Sequence, residues 1–168
     1  NRIDRNTSGI VLLAKNRFAA SRLYEEMKRG AIRKTYVAIT EGVPSPASGR
    51  VDAPIARADE GILMRVVRDD GAPSVTDYSV MRTSRDGKHA LIALRPLTGR
   101  THQIRVHMAH IGCPLIGDFL YGRECPEIIE RHALHAVRLE FDHPTTGKLI
   151  RMSSPLPADM LRVIKEVF

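Results

Sequence analysis

An α+β fold, with a mixed, mainly antiparallel β-sheet flanked by helices, is what this sequence predicts, and three observations predict it. Short stretches rich in β-branched residues outnumber helical ones, neighbouring stretches are often separated by short Gly-, Pro- or Asp-containing turns, and helical segments fall at intervals. The chain has 168 residues with 43% hydrophobic content, enough for one substantial core, so a single globular unit is expected.

Gly9 to Ala14 (GIVLLA) is a short apolar run that predicts a strand, and Asn16 is placed to cap a helix over about Arg17 to Arg29. Phe18, Leu23, Tyr24 and Met27 fall on roughly one face of that helix, and Gly30 ends it. Tyr36 to Ile39 predicts a strand, and Gly42 to Pro46 breaks the chain. Alternation over Ile62 to Val67 and Ser74 to Met81 predicts two strands joined by a turn at Asp69-Asp70-Gly71, and His89 to Leu94 predicts another. Thr98 or Thr101 can cap a helix running through Gln103, Arg105 and Met108 to about Ile111, which Gly112 closes. After a loop from Cys113 to Gly122 come strands around Leu134 to Phe141 and Lys148 to Ser153, then an amphipathic helix from about Ala158 to Val167.

Twenty-six Lys and Arg against nineteen Asp and Glu give a net charge of +7, which favours a polyanionic partner, nucleic acid first. A membrane surface is disfavoured, because no segment joins a basic face to a strong apolar stripe and no run approaches the roughly 20 apolar residues of a membrane span. With no signal-peptide pattern, a cytoplasmic protein is expected. Cys113 and Cys125 have neither CxxC spacing nor the density of a disulfide framework. His102, His107 and His110 match no standard zinc spacing, and GxGxxG and GxxxxGK[ST] are absent, so neither a metal nor a nucleotide cofactor is expected. A monomer is expected.

Asp4 lies between Arg2 and Arg5 and precedes Asn6-Thr7-Ser8-Gly9, residues suited to a tight loop. Neighbouring guanidinium groups favour an ionised carboxylate, fit for nucleophilic attack or proton abstraction, while the plain alternative is a surface ion pair. Gly99 to His107 (GRTHQIRVH) is the densest polar cluster, set where a strand gives way to a helix. Helix N-termini bind anions, so Arg100, Thr101 and His102 can hold phosphate oxygens; the alternative is a solvated basic first turn. Tyr36, at a strand start after Arg33-Lys34-Thr35, is either a core aromatic or a platform for a base.

Taken together, these clusters resemble the RluA-type RNA pseudouridine synthases. Asn1 to Gly9 (NRIDRNTSG) is similar to the family's HRLDRxTSG motif, with Asn1 in place of His and Ile3 in place of Leu. Lys34 to Ala38 resembles KxYxA, and Leu97 to His107 resembles LxTGRTHQIRVH. Gly112 to Asp118 with Tyr121-Gly122 resembles GxPxxGDxxYG, and Leu134-His135-Ala136 with His143-Pro144 resembles the late LHA and HP pair, so the resemblance spans nearly the whole chain. It implies a pseudouridine synthase fold and a cofactor-free isomerase in which Asp4 attacks C1′ of a flipped-out uridine or abstracts its 2′ proton. By the same resemblance Tyr36 stacks on the base and takes the C5 proton, directly or through water. Arg105 pairs with Asp4, and Arg5, Arg100, Thr101 and His102 line the RNA cleft. Ribosomal RNA is the preferred substrate, transfer RNA the second. Because the chain opens directly on Asn1 without Met, residues 1–168 are expected to be the C-terminal major part of one catalytic domain, with preceding strands and any N-terminal RNA-binding domain absent.

Overall fold

The computed structural model of the chain describes residues 2–59 and 61–168. The strands are β1 (Ser8–Gly9), β2 (Arg33–Glu41), β3 (Ser48–Asp52), β4 (Ile55–Arg57), β5 (Arg65–Val67), β6 (Val75–Thr83), β7 (His89–Pro96), β8 (Leu134–Asp142) and β9 (Leu149–Ser153). The helices are α1 (Arg17–Lys28), α2 (Gln103–His110) and α3 (Ala158–Val167). The main sheet runs β1-β8-β2-β7-β6-β3, and β9 also pairs with β8; β1 and β8 are parallel and the other pairs antiparallel. The expected α+β architecture is therefore what the chain adopts.

The middle strand β2 is buried from Tyr36 to Thr40 because both of its faces are covered. Its alternation splits the core in two. Tyr36 and Ala38 join Ile104 and Met108 of α2 in one cluster, while Val37 and Ile39 join Met160 and Val163 of α3 in the other. Truncating a fully buried residue such as Met108 or Met160 to Ala costs about 2–5 kcal/mol. The polar face of the chemistry described below lies on the α2 side.

Several elements form as the sequence predicts. Asn16 accepts a hydrogen bond from Ala19 N at 2.8 Å and starts α1. The helix ends in a Schellman arrangement, with Gly30 at φ +70°, Gly30 N donating to Met27 O and Ala31 N to Glu26 O.

Others differ for reasons of tertiary context. The strand expected over Gly9 to Ala14 is reduced to Ser8–Gly9, which pair in register with β8; Ile10 N adds one more hydrogen bond to Ala136 O, and Leu13 is 79% exposed. Of the four residues expected on the inner face of α1, only Leu23 is buried; Phe18, Tyr24 and Met27 are exposed. Over Ile62 to Val67 the strand is confined to β5, and β5 pairs with the unanticipated β4 rather than with β6, which lies between β7 and the equally unanticipated β3. A turn does form at Asp69-Asp70-Gly71, closed by Gly71 N to Arg68 O, yet it joins two different sheets. Neither Thr98 nor Thr101 caps α2. The cap position is His102, in the left-handed region at φ 57° with no side-chain cap.

Candidate active site

Asp4 sits in a tight turn in which Thr7 N donates to Asp4 O at 3.0 Å, just before β1. Gly9, at φ +111°, brings β1 so close to β8 that a Cβ would lie 2.3 Å from Ala136 O, so glycine is required there. Ala136 is in register with both Gly9 of β1 and Tyr36 of β2. One residue of β8 thus sets the spacing between the Asp4 loop and Tyr36.

Across from them, the turn before α2 is latched by Gln103, which is 4% exposed. Its Oε1 accepts from Arg100 N and the Thr98 hydroxyl, and its Nε2 donates to Val75 O and the Thr76 hydroxyl. The strained backbone of His102 is held by a 2.8 Å hydrogen bond between its Nδ1 and the Tyr121 hydroxyl, which also accepts from Arg65 N.

These elements enclose a cleft of about 480 Å³, within the about 300–1,000 Å³ usual for small-molecule sites. Asp4, Tyr36, Arg100, Thr101 and His102 all line it. Arg105 lies beneath, its Nη1 3.6 Å from Asp4 Oδ2. The other side of its guanidinium grips Asp118 with two hydrogen bonds of 2.7 Å, in almost complete burial. The Tyr121 and Phe119 rings lie 5.0 and 5.7 Å from the same guanidinium.

Asp118 and Tyr121 were not among the candidate site residues, although the GDxxYG stretch that carries them was legible. Of the expected residues, Arg105 lies beneath the cleft rather than on its wall, and Arg5 is exposed and outside it, a correction to its expected place in the RNA cleft. Thr101 accepts a hydrogen bond from Arg2 at 3.2 Å, and Arg100 reaches Pro73 O while its guanidinium stays exposed. Asn1, one of the two departures from the family motif, lies outside the described residues. His107, entertained as a possible ligand, is fully buried with Nδ1 on the Thr76 hydroxyl and Nε2 on Ala53 O, a packing role.

The electrostatics divide the groups by role. Burial, with the Asp4 charge behind it, pushes the Tyr36 phenol up to about 12, so it is a neutral hydroxyl at physiological pH. Burial holds His102 below the usual histidine range. Burial alone would raise Asp118, but the hydrogen bonds and charge of Arg105, with the Leu120 N–H, together outweigh it and hold that carboxyl below its usual value. The result is a buried Arg105–Asp118 pair under a cleft whose described lining carries one accessible carboxyl, Asp4, and one protonated phenol.

The RNA pseudouridylate synthase family description matches residues 1–110. Among curated proteins, the chain is 46% identical over 164 residues to the uncharacterized RNA pseudouridine synthase YjbO of Bacillus subtilis, covering 98% of this chain and 57% of that protein. It is 39% identical over 178 residues to ribosomal large subunit pseudouridine synthase D of Haemophilus ducreyi, covering 98% and 54%. The chain therefore spans about half the length of the curated relatives it matches. Among solved structures, human RNA pseudouridylate synthase domain containing 1 superposes with a TM-score of 0.77 at 31% identity, over 92% of this chain and 67% of that one. Human RNA pseudouridylate synthase domain containing 4 gives 0.79 at 27%, over 98% and 73%. With its fold, its ordered motifs and its cleft all in agreement, this chain belongs to the RNA pseudouridylate synthase family.

Proposed function

We propose that this chain carries the catalytic centre of an isomerase that converts specific uridines in RNA to pseudouridine, with Asp4 as the catalytic carboxylate. The observation that supports it most directly is Asp4 on the wall of a cleft shared with Tyr36, backed at 3.6 Å by an Arg105 that is itself anchored on Asp118. Reaching such a cleft requires the uridine to leave its helical stack, with a cost in unstacking repaid by contacts in the pocket. Asp4 attacks C1′ or removes the 2′ proton; either way the C1′–N1 bond breaks and its electron pair leaves with uracil. The base turns and C5 bonds to C1′, as the Asp4–C1′ bond breaks on the first route or as Asp4 returns the proton to C2′ on the second, and the C5 proton is lost. One carboxylate suffices because the leaving base is also the incoming nucleophile and stays in the pocket, unlike the departing group in glycoside hydrolysis.

Tyr36 serves as the stacking platform. With its phenol pushed up to about 12, it has little phenolate to offer as a standing base, so the C5 proton passes through water or is handed on as Tyr36 receives it. Arg100, Thr101 and His102 bind backbone phosphates flanking the flipped nucleotide. Arg5 adds to the long-range field of a chain with net charge +7. The substrate is structured RNA, ribosomal RNA in preference to transfer RNA, a preference supported by the ribosomal large subunit for which the Haemophilus ducreyi relative is named. The enzyme is proposed to be cytoplasmic and to act as a monomer. No helix among the described residues is long and apolar enough to cross a membrane.

The test is tritium release from RNA labelled at C5 of uridine by the full-length gene product, without added metal or nucleotide and in the presence of a chelator. Release matched by pseudouridine in the digested RNA is expected. RNA binding without release would instead identify a silent RNA-binding module, and release abolished by the chelator would point to a metal-dependent enzyme.

A further inference from the structure

Next to the Asp4 turn lies a buried group that the mechanism above leaves unused. His132, 1% exposed, approaches the Thr7 hydroxyl with Nε2 at 2.8 Å. Its Nδ1 is buried and has no hydrogen-bond partner among the described residues. Thr7 is itself 7% exposed, lines the same cleft as Asp4 and Tyr36, and its backbone N–H ties the Asp4 turn. Its hydroxyl makes no other hydrogen bond among the described residues.

The proton arrangement follows from these contacts. Burial and the nearby Arg105 push the His132 imidazole down to about 4, so at physiological pH it is neutral and carries one N–H. An orphaned buried N–H is the rarer defect in folded proteins, an unused acceptor lone pair the commoner one. The proton therefore belongs on Nε2, donated to Thr7 Oγ1, and the lone pair on Nδ1. With Oγ1 accepting from His132, the Thr7 hydroxyl proton is left to point elsewhere, and the open side of Thr7 is the cleft.

We infer that Thr7 is a catalytic residue that donates its hydroxyl proton in a hydrogen bond to an oxygen of the bound uracil, and that His132 is the positioning residue that aims it. When the C1′–N1 bond breaks, its electron pair moves onto the uracil, and negative charge gathers on the ring oxygens; a preoriented donor stabilises that charge more than it stabilises the neutral base. No proton is transferred and no further reactant is required. The inference rests on the reading of the cleft as a pseudouridine synthase site.

The experiment measures kcat and KM for tritium release by the full-length protein and its Thr7→Val, His132→Leu and His132→Gln variants, with RNA affinity measured alongside. Thr7→Val and His132→Leu are each expected to lower kcat about 10- to 100-fold with KM within about threefold of wild type. The double variant should be no worse than the poorer single one, as expected of groups acting as a unit. His132→Gln, which restores a neutral side-chain N–H, is expected to recover kcat to within about fivefold of wild type. Wild-type kcat in His132→Leu, a loss confined to KM, or a His132→Gln variant as impaired as His132→Leu would each overturn the inference, the last by exposing a packing role. If His132→Leu fails to fold, Thr7→Val decides alone, and wild-type kcat there overturns the inference. A wild-type protein that releases no tritium would bring down the synthase reading and this inference with it, whereas an active wild type with indifferent variants would bring down the inference only.

Discussion

Asp118 meets Arg105 through two hydrogen bonds of 2.7 Å in full burial, whereas Asp4 lies 3.6 Å from the remaining nitrogen of the same guanidinium with 24% of its side chain open to the cleft. The first carboxylate has its oxygens committed: beyond Arg105, its Oδ1 also accepts from Leu120 N and Tyr121 N. The second has one loose ionic contact and an open side. A buried ion pair cannot lose a partner cheaply, while a part-exposed contact contributes little to stability. The floor is built to hold, and the rim is left free for the chemistry proposed for Asp4, with one arginine touching both.

Breaking the floor should have the largest effect on stability. Asp118→Ala leaves the buried Arg105 charge with the loose Asp4 contact in place of its two short hydrogen bonds, and a loss of about 3–5 kcal/mol is expected in urea unfolding, with activity falling as the folded fraction falls. The same measurement on Asp4→Asn should show a change of less than about 1 kcal/mol. If the two variants were equally destabilised, the division between floor and rim would fail.

A second difference concerns acid. The folded-state value of His132, about 4, is depressed from 6.5, so between those limits the unfolded chain binds more protons than the folded one. Stability is therefore expected to fall as pH drops from about 6.5 to 4, and His102, His107 and His135, held down by burial, act in the same direction. His132→Gln should flatten that decline, by up to about 3 kcal/mol across the window, as read from unfolding midpoints at stepped pH. An unchanged slope would show that His132 titrates normally.

Smallest is the effect expected at the open rim. Arg100→Ala removes an exposed guanidinium next to the cleft, and RNA affinity should weaken about three- to tenfold, with the slope of log affinity against log salt reduced by roughly one contact. Turnover at saturating RNA should move less than binding does.

Local signals were read well in the sequence and distant ones were not. Asn16, Gly30 and the alternation of β2 each act within a few residues, and each does in the structure what its chemistry suggests. Phe18, Tyr24 and Met27 satisfied a helical period but have no sheet surface to cover; Met27 lines the cleft instead. β4 was obscured because a three-residue strand carries almost no period. At the site, the ordered motifs identified Asp4, Tyr36 and Arg105, and the cleft gathers the first two with the third beneath. That Arg105 is shared with Asp118 depends on contacts folded across a loop. His132 and Thr7 are 125 residues apart in sequence, a separation at which no spacing rule applies.

Asp4 is proposed to do chemistry rather than to hold the fold. The most direct measurement is tritium release at saturating RNA by full-length Asp4→Asn, set beside its RNA affinity and unfolding midpoint. Loss of turnover by at least about 10³-fold, with affinity and midpoint close to wild type, is the expected result. Turnover within a few fold of wild type would contradict the account, and no reassignment of Tyr36 or Arg105 would rescue it.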